Sequence, residues 1–330
     1  MDLIAEFKRR ARQGVKTIVL PEGDDDRILP AAKQILAEGI ARPVVLGPAA
    51  KINGAAAKLG LDPAQVRLID PATSRELERY SQTYCRRREG VGESVARRLM
   101  KQPLMFGAMM VAMGDADGMV GGVSCATVRV ISAGGLTIGY QPGVSSASSF
   151  FVMVVPECLG EKDKVLLFAD CAVNPDPTAQ QLAEIAVVSG RSAKSLLGIE
   201  PYIAMLSFST KGSADHPHVA KVAEATRIAQ SLAPEFKIDG ELQADSALVP
   251  RVAARKVKES TVAGKANVLI FPDLDAGNIA YKLTQYLGNA RAYGPILQGF
   301  AKPISDMSRG ASVDDIVGVT AIISVLAQAS

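Results

Sequence analysis

Ser308 and Arg309 stand side by side in K-P-I-S-D-M-S-R-G-A-S-V-D-D-I, Lys302 to Ile316. A hydroxyl beside a guanidinium that keeps its charge suits the binding of an anion and the reception of negative charge that builds during a reaction. Gly310 then lets the backbone turn, and Asp314 and Asp315 head an apolar run that reads as a helix. Ser312-x-x-Asp315 is a capping box with Asp315 at the third helical position, where the helix N-terminus favours the ionised carboxylate.

Further polar groups follow other apolar runs. S-T-K-G-S-A-D-H-P (Ser209 to Pro217) sets Ser209, Lys211 and Gly212 where amide N–H groups and an ammonium can cradle a phosphate, or simply form a turn. D-C-A-V-N-P (Asp170 to Pro175) offers Cys171, but no histidine is near in sequence to activate it, so it reads as a buried structural thiol. F-P-D-L-D-A-G-N-I-A-Y-K (Phe271 to Lys282) brings Gly277 and Asn278 to a helix entrance. Asp24, Asp25 and Asp26 read as partners of a helix start rather than metal ligands. No G-x-x-x-x-G-K-[ST] loop and no strand-anchored G-x-G-x-x-G is present, which disfavours nucleotide hydrolysis and ordinary dinucleotide binding.

These loops must be carried by a regular frame. Strands are predicted at Thr17–Leu20, Pro43–Leu46, Val66–Ile69, Gly118–Val120, Val165–Ala169, Tyr202–Phe208 and Asn267–Phe271, all nearly unbroken in apolar character. Helical patterns such as Asp26–Glu38, Thr178–Ser195 and Val219–Leu232 separate them. Strand and helix in alternation predict an α/β protein with mainly parallel sheets, in which ligands sit at the carboxyl ends of strands. With 330 residues, 48% of them hydrophobic, the chain is long enough for two domains. Lys plus Arg number 37 against 34 for Asp plus Glu, a balance of +3 that argues against a bulk nucleic-acid binder. Cys85, Cys125, Cys158 and Cys171 are scattered and lack zinc spacing, as suits a reducing cytoplasm. The first residues have neither the apolar core of a secretory signal nor the length of a membrane span.

The chain resembles the phosphate acetyltransferase (phosphotransacetylase) family along nearly its whole length. The matching stretches are V-L-P-E-G (Val19 to Gly23), F-A-D-C-A-V-N-P (Phe168 to Pro175), M-L-S-F-S-T-K-G-S (Met205 to Ser213), D-G-E-L-Q-A-D (Asp239 to Asp245), G-K-A-N-V-L-I-F-P (Gly264 to Pro272), A-G-N-I-A-Y-K (Ala276 to Lys282) and S-D-M-S-R-G (Ser305 to Gly310). Its compact length is similar to that of members consisting of the catalytic module alone, including those of ethanolamine breakdown, which would place it in the cytoplasm or in a bacterial microcompartment.

The resemblance implies reversible transfer of acetyl between acetyl phosphate and coenzyme A, giving acetyl-CoA and inorganic phosphate. It implies no permanently bound cofactor, no metal, no nucleic-acid or membrane partner, and a homodimer. The implied fold has two α/β/α three-layer domains with an interdomain cleft, like the isocitrate/isopropylmalate dehydrogenases. Residues 1–143 and 293–330 would form the first domain and 144–292 an inserted second one. Among site residues, Arg309 would meet phosphate and oxyanion, Ser308 would assist, and Asp315 matches the family's general base. Arg86, in Arg86-Arg87-Arg88, matches an arginine linked to coenzyme A phosphates; a solvated helix end is its plainer reading. The chain departs from the family at Ser132, where an arginine precedes the Ala133-Gly134 pair, while Arg129 lies three residues earlier.

Other functions remain to be separated. Propionyl or butyryl phosphate would need only a slightly larger pocket, since one methylene changes binding by about 1–3 kcal/mol. A decarboxylating dehydrogenase using NAD and a divalent metal has similar architecture but needs an aspartate cluster with a Tyr/Lys pair. A ligand sensor that kept the fold would have no need of Ser308, Arg309 and Asp315 together.

Overall fold

Apolar runs with little alternation belong to strands covered on both faces, and K-T-I-V-L is one. In the computed structural model, which describes residues 2–62, 64–257 and 259–329, it forms a strand whose Ile18, Val19 and Leu20 are wholly buried. The chain divides into two units, Met1–Gln141 with Phe300–Ser330, and Pro142–Gly299.

The first unit begins with α1 (Leu3–Ala11), β1 (Lys16–Leu20), α2 (Ile28–Ala37), β2 (Ala41–Leu46), α3 (Ala49–Lys58) and β3 (Arg67–Ile69). Three helices, α4 (Leu77–Arg87), α5 (Glu93–Met100) and α6 (Pro103–Met113), lead to β4 (Gly118–Gly121) and α7 (Thr127–Thr137). The second unit contains β5 (Ser148–Cys158), β6 (Glu161–Ala169), α8 (Ala179–Ser192), β7 (Tyr202–Leu206), α9 (Pro217–Leu232) and β8 (Lys237–Leu242). It continues through α10 (Ala244–Leu248), α11 (Pro250–Lys256), β9 (Val268–Ile270), α12 (Leu274–Leu287) and β10 (Arg291–Gln298). The chain then returns to the first unit for β11 (Ile304–Asp306) and α13 (Val313–Gln328).

The first sheet has the order β11-β4-β1-β2-β3 with every pair parallel, so all its carboxyl ends lie along one edge. The second has the order β10-β5-β6-β9-β7-β8; β6, β9, β7 and β8 are parallel, and β5 runs against both of its neighbours. Both sheets are thus mainly parallel, as the alternating pattern predicts.

Helix faces follow the sequence. P-L-M-F-G-A-M-M-V-A-M of α6 is apolar all round, and Leu104 through Val111 are buried without a break, the signature of a helix enclosed on every side. A Cβ on Gly107 would come within 3.0 Å of Val19, so glycine is what lets α6 approach β1. No helix among the described residues is long and apolar enough to cross a membrane.

Four strands lie outside the predicted set, each for a physical reason. β5 is an eleven-residue strand whose apolar stretch, F-F-V-M-V-V, is flanked by Ser148-Ser149 and Pro156-Glu157 and shows no alternation, so it could be read as helix or strand. The polar look of K-I-D-G-E-L hides β8, whose Asp239 and Glu241 are buried because neighbouring donors satisfy them. Pro295 interrupts β10 where its register against β5 shifts between Tyr293 and Ile296. β11 has only three residues, pairing Ile304 with Met119, Ser305 with Val120 and Asp306 with Gly121. Where the chain leaves and re-enters the first unit, Tyr140 and Phe300 form a β-bridge and stack with ring centres 5.4 Å apart. Gln141 Nε2 also donates to Phe300 O at 3.2 Å.

Candidate active site

Three adjacent parallel strands, β1, β4 and β11, end side by side, and the loop after β11 carries Ser308 and Arg309. Glu22, two residues past β1, is 6% exposed and grips the β4–α7 loop. Its carboxylate accepts from the amides of Gly122 at 2.7 Å, Val123 at 2.9 Å and Ser124 at 3.0 Å, and from Ser124 Oγ at 2.8 Å.

Arg27 ties all three loops together. It pairs with Asp25 at 2.8 Å and donates to Val123 O at 2.7 Å and to Arg309 O and Ala311 O at 2.8 Å each. Within the Asp24-Asp25-Asp26 run, Asp25 therefore serves an arginine. Because Val123 and Arg309 share one guanidinium, the β4–α7 and β11–α13 loops are held against each other.

Ser308 and Arg309 are exposed on that fixed backbone, with Ser308 Oγ accepting from Gly310 N at 3.2 Å. Asp315 completes the capping box of α13: its Oδ2 accepts from Ser312 N and Ser312 Oγ, both at 2.8 Å, and Ser312 Oγ accepts from Asp315 N at 3.2 Å. Asp314 accepts from Gln34 at 3.1 Å.

Asp306, the last residue of β11, is 3% exposed. Thr127 Oγ1 donates to its Oδ2 at 2.5 Å, while its Oδ1 is buried without a hydrogen-bond partner. Burial pushes its pKa up to about 6, against the pull of the Thr127 bond and of the Met307 backbone N–H, and the nearby Glu22 charge adds to the rise. Between the two carboxylates sits Cys125, whose thiol burial and Glu22 push up to about 12. Gly122 has φ +99°, and a Cβ there would lie 1.9 Å from Asp306 Oδ1, so only glycine fits.

Of the remaining arginines, Arg129 belongs to α7 and Arg86 to α4. Arg129 lies in the first turn of α7, where its charge reaches Cys125, and Ser132 is exposed further along the same helix. Arg86 ends α4, exposed, with Nη2 on Thr83 Oγ1 at 3.3 Å. Its neighbour Arg88 donates to Gly135 O at 2.7 Å and Leu136 O at 3.1 Å, the closing carbonyls of α7. Arg88 thus meets α7 about 12–14 Å along the helix from Thr127, with Arg86 two residues before it in the chain.

In the second unit, the Ser209–Gly212 loop turns its donors inward. Glu241 accepts from Ser209 Oγ at 3.0 Å and Gly212 N at 2.6 Å, and Lys211 pairs with Asp239 and donates to Gly240 O at 2.7 Å. Asn278 donates to Cys171 O at 3.1 Å, fastening α12 to the loop after β6. Cys171 is wholly buried, and burial together with Asp170 drives its thiol pKa well above the usual range. It is no nucleophile.

Sequence reasoning singled out Ser308, Arg309, Asp315 and Arg129 but assigned nothing to Glu22, Arg27, Thr127 or Asp306. Glu22 and Asp306 stood in the open as carboxylates closing apolar strands, in V-L-P-E-G and I-S-D-M. That pattern was their only signal.

The Phosphate acetyl/butaryl transferase family model matches residues 2–324. The phosphate acetyltransferase of Thermoanaerobacterium thermosaccharolyticum is 49% identical over 330 residues, covering 99% of this chain and 100% of the relative. The structure of the EutD phosphotransacetylase from Staphylococcus aureus superposes with a TM-score of 0.89 at 42% identity, covering 98% of this chain and 99% of that one. A 4-hydroxythreonine-4-phosphate dehydrogenase from Salmonella typhimurium shares the fold alone, at 12% identity, TM-score 0.54, and coverage of 94% of this chain and 99% of that one.

Proposed function

The chain belongs to the phosphate acetyl/butaryl transferase family, and we propose how its strand-end loops serve that family's chemistry. It is an acyltransferase that moves an acetyl group reversibly between acetyl phosphate and coenzyme A. The observation that carries the assignment of residues is the Ser308–Arg309 backbone, locked by Arg27 against the loop that opens α7.

The thiol of coenzyme A must lose a proton, because the thiolate is the nucleophile. Attack on the carbonyl of acetyl phosphate yields a tetrahedral oxyanion, and phosphate then departs. Arg309 receives the charge on the phosphate and the oxyanion through its fork of N–H donors, and Ser308 Oγ–H donates to the same oxyanion. Asp315 holds α13 in register through its capping box and is the family-position candidate for the thiol proton. Transfer is direct within a ternary complex, since burial holds the thiols of Cys125 and Cys171 protonated and unreactive.

Mixing acetyl phosphate with coenzyme A, without NAD or added metal, tests the function: thioester absorbance is expected, and its absence refutes it. Propionyl and butyryl phosphate in the same assay decide acyl length. The identity to relatives named phosphate acetyltransferase favours acetyl.

Arg86 and Arg129 then have separate duties. An extended coenzyme A spans the length of α7, so Arg129 serves the reacting end and Arg86 the 3′-phosphate. Arg86→Ala should raise the KM for coenzyme A by about 10–150-fold, the loss of one charge-assisted hydrogen bond at about 1.5–3 kcal/mol. The variant should also stop distinguishing coenzyme A from its 3′-dephosphorylated form. Unchanged discrimination would refute the assignment to Arg86.

A homodimer is the assembly we propose, built on α12. Ile279, Leu283, Tyr286 and Leu287 form one stripe along that helix and are 56%, 52%, 75% and 79% exposed. Together they present roughly 500 Å² of apolar surface, at the upper end for a monomer and most of the ~800 Å² per partner of a standard interface. A second copy, paired about a two-fold axis, covers a self-complementary stripe of this kind. Light scattering should give a dimer for the parent chain and a monomer for Leu283→Lys/Tyr286→Lys; a variant that stays dimeric refutes this face.

A further inference from the structure

We propose that the cleft between the ends of α4 and α7 is a second phosphate site, which takes a small organic phosphate other than coenzyme A. Its volume is about 460 Å³, and every residue lining it belongs to the first unit. Arg87 ends α4 and Arg88 caps it, Gly135 to Gly139 form the last turn of α7 and its exit, and Lys302 leads into β11. Lys302 stands two residues before the start of β11, whereas Ser308 and Arg309 follow its end. The cleft therefore lies on the amino edge of the first sheet, and the catalytic loops lie on the carboxyl edge.

Three cations line this space and, among the described residues, no carboxylate does. The acids nearest in sequence are elsewhere: Glu89 is exposed, and Asp115 pairs with Arg79 and accepts from Tyr80 Oη at 2.6 Å. Helix ends account for one of the three cations. Arg88 donates to Gly135 O at 2.7 Å and Leu136 O at 3.1 Å, carbonyls at the negative end of α7. Lys302 is half-buried beside the end of α6, where a Cβ on Gly114 would lie 3.7 Å from its Nζ. Neither Lys302 nor Arg87 has a hydrogen bond or ion pair to a described residue through its side chain. Like charges left unbalanced in a concave space repel one another and focus a positive field there, which an anion relieves.

The free donors set the ligand class. Arg87 offers a planar fork and Lys302 a point charge, which together match the two negative charges of a phosphate monoester. Leu136, 40% exposed, and Ile138 add an apolar wall, and the volume is that of a small-molecule site rather than of a bare ion. Arg86, given above to the coenzyme, does not line the cleft. Adjacent residues on a helix point about 100° apart, so Arg86 and Arg87 address different space.

The site does not depend on the acetyl-transfer reading, and its test needs no turnover. Isothermal titration with phenyl phosphate, a monoester with an apolar body, is made on Arg309→Ala, which lacks the guanidinium proposed to hold phosphate in the catalytic loops. One equivalent per chain should bind, more weakly as salt rises. Adding Arg87→Gln/Lys302→Gln should weaken that binding by about tenfold or more, the loss of charge-assisted hydrogen bonds. Removing unpaired like charges should leave the Tm of this variant at or above that of its parent, and phenyl phosphate should raise the Tm of the parent alone. Saturating coenzyme A should leave the titration of the parent unchanged.

Equal affinity in the two proteins, or no binding by the parent, overturns the proposal. Displacement by coenzyme A also overturns it, by giving the cleft to the coenzyme. A wild-type enzyme that forms no thioester would instead refute the acetyl-transfer reading and leave this titration to stand by itself.

Discussion

Arg309→Ala should lower kcat by about 10²–10³-fold, the usual loss when a donor to transition-state charge is removed. The guanidinium is exposed, so deleting it opens no cavity in the core. Its carbonyl, which Arg27 holds, survives in alanine, and the loop keeps its place. The expected change is therefore in turnover, with thermal unfolding close to wild type. Ser308→Ala should lose less, because a neutral hydroxyl contributes less to a charged oxygen than a guanidinium does. Lysine at 309 should recover part of the rate by restoring charge without the fork. Saturating both substrates isolates kcat, and near-normal turnover in folded Arg309→Ala would remove it from the mechanism.

Glu22→Ala should reduce unfolding free energy by about 3–9 kcal/mol, since two buried amides and a third half-buried one lose their acceptor at about 1–3 kcal/mol each. Gly122, Val123 and Ser124 are the donors left behind. Glutamine should lose less, because one oxygen remains to accept. Turnover should fall as well, since the loop positions Thr127 and Arg129 at the start of α7. Urea unfolding of wild type, Glu22→Ala and Glu22→Gln gives the three values, and an alanine variant with the wild-type midpoint would show the grip to be dispensable.

The reasons why some of this was legible in the sequence and some was not lie in individual residues. β1 could be read because T-I-V-L is apolar over its whole length, and Ser308 and Arg309 because both chemical groups are adjacent in the chain. Arg27 could not, because the carbonyls it binds are 96, 282 and 284 residues away and backbone oxygens carry no sequence mark. Asp306 looked like any polar residue at the end of a short strand; its raised pKa comes first from burial and then from Glu22 across β4, neither of which is marked in the sequence. Lys211 and Gly212 had the composition of a phosphate cradle, but Glu241 and Asp239, on the neighbouring strand β8, now hold those donors. Composition shows which groups are available, and the folded partners determine where each one points.

The bridge between Tyr140 and Phe300 bears on how the protein is made. The whole of Pro142–Gly299 is translated between α7 and β11, so the strand that delivers Ser308 and Arg309 leaves the ribosome after that segment is complete. Domains generally fold as units during synthesis, and the middle segment can acquire its structure while the flanking sheet still lacks an edge. Once folded, it behaves as a short staple whose two ends leave at neighbouring points, and the entropy of closing so long a loop is largely spent beforehand. Nascent chains halted before Phe300 therefore hold every strand of that sheet except the edge strand that leads into Ser308 and Arg309.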